Sequence, residues 1–289
     1  MHLVRDILRL LLGVKGYTYL RFFLTHKYSL NLNNPKSFSE KIIYRKFFVD
    51  PSHFSKFVDK YVVRDFVESR IGSEYLIPLL FCKDNLSTDD FINLPNQFVI
   101  KTSHGGGGKN VLVVNDKNSL NISEIVKLFN HQLKVRLGSK IDELFYDIEK
   151  PRVLVESLIS NGDGSPLLDY KFHRFNNDGD AVYYLQINSE YNTSRCTKTL
   201  YDINGLKSDV QFSGYNYGPE KIVLPENFHE MLSVVDKLAS DFEYVRVDLF
   251  NVEGKIYFGE LTFCPASGWD KVNTKVNDFM LGNFWKEFE

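Results

Sequence analysis

Two stretches near the C-terminus alternate between apolar and polar residues with the period of two that is typical of β-strands. They are residues 244–250 and 255–262, and a short turn that contains glycine joins them. Arg246 and Asp248 fall on one face of the first strand. In the second strand one face carries Phe258, Glu260 and Thr262. The pattern predicts a β-hairpin, and suitable pairing of its strands would set Glu260 beside Asp248.

The pattern along the rest of the chain predicts a helical N-terminal part, followed by a mixture of strands and helices. Ser37-Phe-Ser-Glu40 is a capping box, which predicts a helix that ends near residue 48. Further helices are expected over about 52–69, from 121 to about 137, and over 225–241. The other predicted elements are strands at 75–82, 98–101, 111–114 and 152–159, a short helix or turn at 87–94, and a hairpin over 168–175 and 181–187. The fold class is therefore α+β.

The predicted C-terminal hairpin carries candidate metal chemistry. Two carboxylates, Asp248 and Glu260, share its polar face with the guanidinium of Arg246. Mg²⁺ commonly takes one or two protein carboxylates together with phosphate oxygens, so this face suits a divalent cation that bridges a polyphosphate. A surface hairpin with a solvated salt bridge is the alternative interpretation.

A glycine-rich loop follows the strand pattern at 98–101. No Cβ obstructs backbone N–H groups that close on phosphate oxygens, so four consecutive glycines suit a flap over a nucleotide. The loop lacks both the helix-opening Lys-Ser/Thr of a Walker A motif and the G-x-G-x-x-G of a dinucleotide fold. The alternative for the loop is a plain hairpin connection. His104, beside the loop, is a candidate phosphate contact, and the alternative is a structural or solvated role. The candidate nucleotide contacts here are Lys101, His104, Gly105, Gly106, Gly107 and Gly108.

Residues 152–159 form an apolar run that is broken by one acid, Glu156. We interpret the run as a hinge whose backbone meets an adenine, with Glu156 near the exocyclic amine and Leu158 as a further contact. The alternative for Glu156 is an edge-strand carboxylate. The segment 188–225 is rich in Tyr, Asn, Gly and Ser and is expected to be a loop. Its Arg195 and Lys198 are candidates to receive an anionic sugar or an amino-acid carboxylate, and a solvated loop is the alternative.

The N-terminal segment has apolar residues at helical spacing with basic residues between them. It contains no apolar run near 18 residues, so a membrane span is not expected. Its longest apolar core is too short for a signal peptide. Two interpretations stay open for residues 1–24: a helix that packs on the body of the protein, and a basic amphipathic helix that rests on anionic lipid.

Composition narrows the class of protein. At 289 residues, with 43% hydrophobic and 25% charged residues, the chain is expected to be soluble and globular, with one or two domains. The formal net charge of -2 argues against general nucleic-acid binding. The three cysteines are far apart and form no zinc spacing or disulfide framework, so we expect a cytoplasmic protein.

Taken in their order along the chain, these motifs resemble the TupA-like branch of the ATP-grasp superfamily, which is associated with teichuronopeptide and other cell-surface polysaccharides. The resemblance covers most of the chain, from about residue 34 to about residue 282. The motifs that carry it are Asn34-Pro-Lys-Ser-Phe-Ser-Glu-Lys41, Asp59-Lys60-Tyr-Val-Val-Arg64, Leu94-Pro, Phe98-Val-Ile-Lys101, His104-Gly105, Asp169-Tyr-Lys171-Phe, Arg246-Val-Asp248 and Gly259-Glu260-Leu-Thr262.

The resemblance implies an ATP-grasp fold in which two α+β subdomains clasp ATP. It divides the chain into an N-terminal helical region (1–50) and a pre-ATP-grasp-like region (51–95). These are followed by a small subdomain with the glycine loop (96–160) and a large subdomain with the metal and substrate site (161–289). It implies that Lys101 contacts the α- and β-phosphates and that Lys171 and Arg246 face the γ-phosphate. Lys60 and Arg64 match a family motif on the helix before the ATP site.

Asp248, Glu260 and Thr262 are the implied ligands of Mg²⁺, with Mn²⁺ as an alternative ion. Many ATP-grasp enzymes have Asn as the third metal ligand, two residues after the glutamate, where this chain has Thr262. A hydroxyl binds a cation more weakly than an amide oxygen, so a second metal site is expected to be weak. The TupA-like pattern tolerates Thr at this position.

The expected function is that of an ATP-dependent ligase, which activates a carboxylate as an acyl phosphate and couples it to an amine. The resemblance suggests an amino acid or another amine as one partner, and a sugar, nucleotide sugar or polysaccharide that contains a hexuronic acid as the other. The expected location is the cytoplasm, with the inner face of the membrane as an option. Two alternatives remain: a phosphotransferase that acts on a sugar hydroxyl, and a non-catalytic nucleotide-binding partner in polysaccharide assembly.

Overall fold

The computed structural model describes residues 2–106, 110–177, 179–189 and 195–286, and within them the chain forms eight α-helices and nine β-strands. The helices are α1 (His2–His26), α2 (Phe38–Phe48), α3 (Ser52–Val58), α4 (Val63–Ile71), α5 (Ile122–Gln132), α6 (Leu137–Ile141), α7 (Phe228–Ala239) and α8 (Lys275–Asn283). The strands are β1 (Leu79–Lys83), β2 (Phe98–Thr102), β3 (Val111–Val114), β4 (Val153–Ser157), β5 (Asp169–Asn177), β6 (Asp180–Ser189), β7 (Thr197–Tyr201), β8 (Tyr244–Val252) and β9 (Lys255–Thr262).

The strands form two antiparallel sheets, which confirms the predicted α+β class. One sheet has four strands in the order β1-β4-β2-β3, and the other has five in the order β7-β6-β5-β8-β9. β1 belongs to the first sheet although it precedes residue 96, where the sequence placed the start of the small subdomain. The division into four regions stays a prediction.

The four-stranded sheet packs one face on a core and carries two charged residues among apolar ones on the other face. Phe98 and Ile100 of β2 pack with Val153 and Val155 of β4 in a core that α5 completes. Because side chains alternate along a strand, Lys101 and Glu156 lie on the opposite face. The alternation that forms this core therefore also brings the two charged residues together.

The five-stranded sheet repeats this arrangement on a larger scale. Its apolar face packs against α7, and Val247 and Leu249 of β8 are fully buried there. Its other face is predominantly polar. The register places the following side chains on that face, from one edge of the sheet to the other: Glu260, Thr262, Arg246, Asp248, Asp169, Lys171, His173, Gln186, Asn188 and Lys198.

A β-bulge at Gly259 changes the simple alternation that the sequence predicted for β9. Asp248 pairs with Glu260, but the next residue, Leu249, pairs with Phe258. Phe258 therefore joins the apolar face and is buried, whereas the prediction placed it on the face of Glu260. A Cβ at residue 259 would lie 2.9 Å from the carbonyl oxygen of Asp248, so glycine is the residue that fits the bulge.

The predicted helix over residues 52–69 is interrupted, and that prediction was wrong. α3 ends at Val58 and α4 begins at Val63. The carboxylate of Asp59 accepts hydrogen bonds from the backbone N–H groups of Tyr61 and Val62, each at 2.9 Å. A side chain that satisfies these donors favours a new helix start over a continuous helix.

Three other predicted boundaries also differ. The strand expected at 75–82 begins only at Leu79, directly after Pro78, because proline cannot donate to a strand ladder. The helix expected to reach residue 137 ends at Gln132, and α6 follows it separately. The segment 188–225, expected to be a loop, contains β7, which pairs with β6. α8 was not predicted.

The N-terminal helix α1 packs one side on the body of the protein. Phe22 is fully buried, and the guanidinium of Arg9 donates two hydrogen bonds of 2.8 Å to the carboxylate of Asp142. Gly13 interrupts the helix with a positive φ of 67°. The outward side exposes many large apolar residues, with the charged Asp6 and Lys15 among them. The exposed apolar residues are Val4, Ile7, Leu10, Leu11, Leu12, Val14, Tyr19, Leu20, Phe23 and Leu24. In the part of the chain that the structure describes, no helix combines the length and apolar content needed to cross a bilayer.

Candidate nucleotide and metal site

A group of cations surrounds Glu156 on the face of the four-stranded sheet that lies opposite its core. The ammonium of Lys101 lies 2.6 Å from one carboxylate oxygen of Glu156. The guanidinium of Arg64 lies 3.3 Å from the other oxygen and also donates to the carbonyl oxygen of Ile77 at 3.1 Å. Glu156 is only 3% exposed. The structure thus brings together three of the predicted nucleotide contacts, while Leu158 follows the end of β4 and is half-buried.

Lys60 lies in the break between α3 and α4 and connects this group to the glycine loop. Its backbone N–H donates to the carbonyl oxygen of Ser103 at 2.8 Å, and its ammonium donates to the carbonyl oxygen of Gly105. Burial lowers the pKa of Lys60; the charge of Lys101 lowers it further, and that of Glu260 raises it. Lys60 therefore lies within electrostatic range of both sheets. We refer to Lys60, Arg64, Lys101 and Glu156 as the cation-rich group.

The described part of the glycine loop is held at its base. Gly105 has a φ of 101°, and Gly106 lies beside the hydroxyl of Tyr146, which is 3.7 Å from the position of a Cβ. Gly107 and Gly108 lie outside the described residues. The buried ring of His104 donates from Nε2 to the carbonyl oxygen of Val135 at 3.0 Å, which excludes a solvated role. Its buried Nδ1 has no hydrogen-bond partner among the described residues.

On the polar face of the five-stranded sheet, Arg246 joins the acids of the hairpin. Its guanidinium donates to the two oxygens of Asp248 at 2.6 Å and 2.7 Å, to Glu260 at 3.2 Å and to the hydroxyl of Thr262 at 3.0 Å. The hydroxyl of Thr262 donates to Glu260 at 3.1 Å. Pairing of Asp248 with Glu260 across the hairpin confirms the register that the sequence suggested.

Lys171 and Asp169 complete this group from the neighbouring strand β5. The ammonium of Lys171 donates to Asp248 at 2.6 Å and also contacts Asp169. One buried oxygen of Asp169 has no hydrogen-bond partner within the residues that the structure describes. Asp169 is a site residue that the sequence reasoning did not select, although it lies in the same motif as Lys171. We refer to Asp169, Lys171, Arg246, Asp248 and Glu260 as the acid-rich group.

Burial and charge act in opposite directions on the ionisable groups of this cluster. Burial alone would raise the pKa of Asp248, but the charges of Arg246 and Lys171 outweigh it and lower the pKa. Burial, followed by the charge of Asp248, raises the pKa of Asp169 to about 6. Burial disfavours the charged form of Lys171, yet the charge of Asp248 raises its pKa overall. Asp248 is thus held as a carboxylate, while Asp169 retains a proton more readily.

Two residues, Lys60 and Tyr146, link the groups electrostatically. Tyr146, beside Gly106 of the loop, has a pKa that is raised first by burial and then by the charges of Glu143 and Glu260, while Arg246 lowers it. Burial lowers the pKa of Lys60 most, and the charges of Glu260 and Lys101 act on it in opposite directions. Lys60 is thus influenced by one residue from each group.

The acids of the hairpin fit a divalent cation only together with other oxygen ligands. Among the described residues, no three His, Cys, Asp or Glu side chains converge as a metal site. Both oxygens of Asp248 contact cationic side chains, whereas the side chain of Glu260 is 35% exposed. Mg²⁺ that arrives with phosphate oxygens needs only one or two protein carboxylates. The donor set of Asp248, Glu260 and Thr262 fits that kind of ion.

The two predicted substrate contacts lie at the far edge of the five-stranded sheet. Arg195 is exposed and precedes β7. Lys198 is on β7, and its ammonium contacts the carboxylate of Asp270, so it is not a solvated loop residue. The sequence reasoning missed both Tyr146 and Asp270, because their positions depend on contacts between segments that are far apart in the chain.

Comparison with known proteins assigns a family. The sequence matches the family described as TupA-like ATPgrasp over residues 40–286. No curated protein matches the chain significantly.

Solved structures show distant similarity. D-alanine-D-alanine ligase from Helicobacter pylori is 19% identical, with a TM-score of 0.46 over 78% of this chain and 59% of that one. L-amino acid ligase from Bacillus licheniformis is 13% identical, with a TM-score of 0.48 over 80% of this chain and 49% of that one. The chain spans about half the length of the solved structures that it matches.

Proposed function

Since the chain belongs to the TupA-like ATP-grasp family, we propose that it is an ATP-dependent ligase that joins a carboxylate to an amine through an acyl phosphate. The carboxylate is that of a hexuronic acid in a sugar, a nucleotide sugar or a polysaccharide. The amine is that of an amino acid or a related compound. The product is an amide within a capsular or other surface polysaccharide.

The observation that carries this proposal is the presence of two groups with opposite charge excesses, one on each sheet, which both influence Lys60. The cation-rich group has three cations, Lys60, Arg64 and Lys101, and these outnumber Glu156 even when the nearby Asp59 is counted. In the acid-rich group, three acids outnumber Lys171 and Arg246. Buried or half-buried charge tends to be paired, so the first excess favours a bound anion and the second a bound cation. A nucleotide triphosphate with Mg²⁺ supplies both.

The cation-rich group holds the nucleotide. Lys101 contacts the α- and β-phosphates, and Lys60 and Arg64 offset the remaining negative charge. Residues Gly105, Gly106, Gly107 and Gly108 cover the phosphates, and a closing flap protects a reactive intermediate from water. Glu156 and Leu158 border the adenine at the hinge that follows β4, while His104 supports the loop from below. These cations are already positioned by contacts with the protein, so little reorganisation is needed when phosphate binds.

The acid-rich group prepares the transfer of the γ-phosphoryl group. Asp248, Glu260 and Thr262 would hold Mg²⁺, or Mn²⁺ in its place. The ion, when bound, supplies Lewis-acid stabilisation of charge on the phosphoryl oxygens. Lys171 and Arg246 lie beside these acids and offset the repulsion between the substrate carboxylate and the γ-phosphate. Arg246 suits this role because a guanidinium can hold two oxygens through parallel hydrogen bonds.

The reaction takes two steps. An oxygen of the substrate carboxylate attacks the γ-phosphorus, the bond to the β-phosphate oxygen breaks, and ADP leaves. The neutral amine nitrogen then attacks the acyl carbon, inorganic phosphate leaves, and the proton lost by nitrogen passes to the phosphate or to water. No strong base is required, because the acyl phosphate is already activated.

The product distinguishes this function from its alternatives. A phosphotransferase would leave phosphate on the sugar, and a non-catalytic partner would bind ATP without substrate-stimulated turnover. The deciding experiment measures phosphate release from ATP with a panel of uronic acids and nucleotide uronates against a panel of amino acids, with product masses. The ligase requires both substrates for phosphate release and yields an amide. Phosphate found on the sugar, or no stimulation by any pair, would contradict it.

We also propose that the protein works at the inner face of the membrane, where the outward side of α1 contacts anionic lipid. Residues 2–26 contain four Arg or Lys residues and one acid, in a chain whose net charge is -2. Leu10 and Leu11 are 84% and 73% exposed. Exposed apolar side chains on a positively charged helix match an anionic membrane surface.

Vesicle binding tests this contact with point variants, since deletion of α1 would also remove the buried Phe22. Leu10→Glu with Leu11→Glu should abolish co-sedimentation with vesicles of phosphatidylglycerol and phosphatidylethanolamine. Val223→Glu is the matched control, because Val223 is 95% exposed and lies outside α1. Equal pelleting of both variants, or no pelleting of the unaltered protein, would rule the contact out.

A further inference from the structure

A carboxylate and two aromatic rings hold an ammonium group at the far edge of the polar sheet face. The carboxylate of Asp270 contacts the ammonium of Lys198, which lies 4.8 Å from the ring centres of both Phe212 and Tyr215. The hydroxyl of Tyr215 donates to the second oxygen of Asp270 at 2.8 Å. We refer to Lys198, Phe212, Tyr215 and Asp270 as the Asp270 group. An acid together with aromatic faces is the environment that recognises organic cations.

The Asp270 group lies beside the acid-rich group. Lys198 of β7 pairs with Asn188 of β6, and Lys171 of β5 pairs with Gln186, two residues along the same strand. Neighbouring strands are about 4.8 Å apart and residues on a strand about 3.3 Å apart, so the backbones of Lys198 and Lys171 are separated by roughly 12 Å on one face. Burial lowers the pKa of Lys198 most, and the charges of Arg246 and Lys171 lower it further. A substrate bound at Asp270 therefore lies on the same sheet face as the proposed site of phosphoryl transfer.

The backbone that presents Asp270 is held in a strained conformation. Ala266, Ser267 and Gly268 all have positive φ angles, of 48°, 59° and 76°. Left-handed conformations are costly for residues other than glycine and persist only where the surroundings enforce them. Contacts from the N-terminal helices enforce this one: Lys46 donates to Ser267 at 3.2 Å and 3.3 Å, and the ring of His26 donates to the carbonyl oxygen of Gly268 at 3.0 Å.

We propose that the Asp270 group is the binding subsite for a zwitterionic α-amino acid, which is the amine substrate of the ligase. The substrate ammonium takes the place of the Lys198 ammonium between Asp270 and the two rings. Lys198 then pairs with the substrate carboxylate. The inference rests on the proposed ligase function and adds the subsite and the charge state in which the substrate binds. Before amide formation the ammonium gives one proton to the carboxylate of Asp270 or to water, and the neutral nitrogen then attacks the acyl carbon.

Charge matching selects a zwitterion over other ligands. The side chains of Lys198 and Asp270 are only 12% and 14% exposed. Separation of a half-buried ion pair is costly if either partner is left uncompensated. A simple amine would compensate Asp270 but leave Lys198 unpaired, and a simple carboxylate would do the reverse. A zwitterion provides a partner for each charge, so the pair can open without a change in net charge.

Binding measurements on the full chain test the subsite without the need for turnover. The protein is saturated with Mg²⁺ and a non-hydrolysable ATP analogue, and the twenty L-amino acids are screened by calorimetry. The tightest binder is then compared with its N-acetyl and carboxamide derivatives. Each derivative should bind at least about tenfold more weakly, because each loses one charge-assisted contact. Asp270→Asn should weaken binding of the free amino acid to a similar degree, with unchanged affinity for the nucleotide analogue.

Two further variants separate recognition from folding. Tyr215→Phe removes only the hydroxyl that donates to Asp270 and should weaken amino-acid binding by a smaller factor. Asp142→Asn is the matched control, because it removes the charge of Asp142 from a similarly buried ion pair with Arg9. The side chain of Arg9 is 20% exposed and that of Asp142 is 16% exposed. It should leave amino-acid binding unchanged.

The proposal is overturned if no amino acid binds, if the N-acetyl derivative binds as tightly as the free amino acid, or if Asp270→Asn has no effect. These outcomes can be distinguished from a failure of the ligase function. Amino-acid binding that depends on Asp270, with no amide formed from any carboxylate, would support the subsite and contradict the ligase function. Amide formation that is unaffected by Asp270→Asn would support the ligase function and contradict the subsite.

Discussion

The cation-rich group and the acid-rich group each lie at the face of a sheet that is opposite its main core, but they differ in how they are held. In the acid-rich group, Arg246 and Lys171 contact Asp248 on both sides, and all three side chains belong to paired strands. In the cation-rich group, Lys60 lies in a helix break and bonds to a loop carbonyl, and only Lys101 and Glu156 belong to strands. The acid-rich group is held by paired strands alone, whereas the cation-rich group also draws on a helix, a break between helices and a loop.

This difference suits the two tasks of the proposed ligase. Phosphoryl transfer requires charges at fixed positions, since preorganised groups stabilise the transition state without a cost of rearrangement. Nucleotide entry and release require a cover that opens. If these assignments are correct, changes in the acid-rich group affect turnover most, and changes in the cation-rich group affect nucleotide affinity most.

Removal of the carboxylates gives the largest expected effect. Asp248→Asn and Glu260→Gln should each lower turnover by about a thousandfold, because each removes a proposed metal ligand. They should differ in stability. Asp248→Asn leaves two buried cations poorly compensated and should cost about 3 kcal/mol, whereas Glu260 is more exposed and should cost less than about 1 kcal/mol.

Coupled phosphate release and urea unfolding measure these two quantities on the same preparations. Glu124→Gln, on the exposed surface of α5, is the control and should change neither. Near-normal turnover in both carboxylate variants would refute the metal assignment.

Lys101→Ala is expected to lower the affinity of the protein for the nucleotide. Loss of one phosphate contact should weaken binding of the ATP analogue by about 10- to 100-fold, measured by calorimetry with Mg²⁺ present. Lys150→Ala removes a lysine whose side chain is 62% exposed and whose ion pair with Asp84 lies on the surface, so nucleotide affinity should stay the same. Unchanged affinity for Lys101→Ala would remove this residue from the nucleotide site.

The pH dependence of stability reports on a further buried acid, Glu143, whose charge acts on Tyr146. Burial raises its pKa from 4.5 to about 7, and its carboxylate accepts a hydrogen bond from Ser267. The folded protein therefore binds more protons than the unfolded chain between pH 4.5 and 7, and stability contributed by this group is lost as pH rises through that window. Glu143→Gln should remove up to about 3 kcal/mol of this loss. Urea unfolding at pH 5, 6, 7 and 8 checks it, and parallel profiles for the variant and the natural protein would contradict it.

The smallest expected effect concerns the loop. Gly105 has a φ of 101°, and an added Cβ would lie 3.0 Å from the side chain of Asn110. Gly105→Ala should therefore cost about 1–2 kcal/mol. At Gly106 the nearest atom is 3.7 Å away, so Gly106→Ala should change stability by less than about 0.5 kcal/mol. Thermal unfolding compares the two, and equal losses would show that the backbone conformation of Gly105 is not required.

The sequence predicted what depends on local periodicity. Alternation along two strands was sufficient to pair Asp248 with Glu260, and alternation along β2 placed Lys101 opposite the apolar core. Local patterns did not reveal the bulge at Gly259, because a bulge interrupts the period on which the prediction depends. They also missed the break at Asp59, whose carboxylate accepts hydrogen bonds from two backbone N–H groups between the helices.

Contacts between segments that are far apart in the chain could not be predicted from local sequence patterns. Asp270 meets Lys198 across 72 positions of the chain, and Tyr146 reaches Gly106 only through the packing of α6 and the segment that follows it. Lys198 was selected for its charge, but the acid that pairs with it determines which ligand it can bind. Candidate cations are thus visible in a sequence, whereas their partners require the fold.

A crystal structure of the protein with Mg²⁺ and a non-hydrolysable ATP analogue would show whether both groups bind one nucleotide. We expect phosphate oxygens within hydrogen-bond distance of Lys101 and Lys60, and a metal ion between the γ-phosphate and the carboxylates of Asp248 and Glu260. A nucleotide bound elsewhere, or one whose γ-phosphate points away from Arg246, would contradict it.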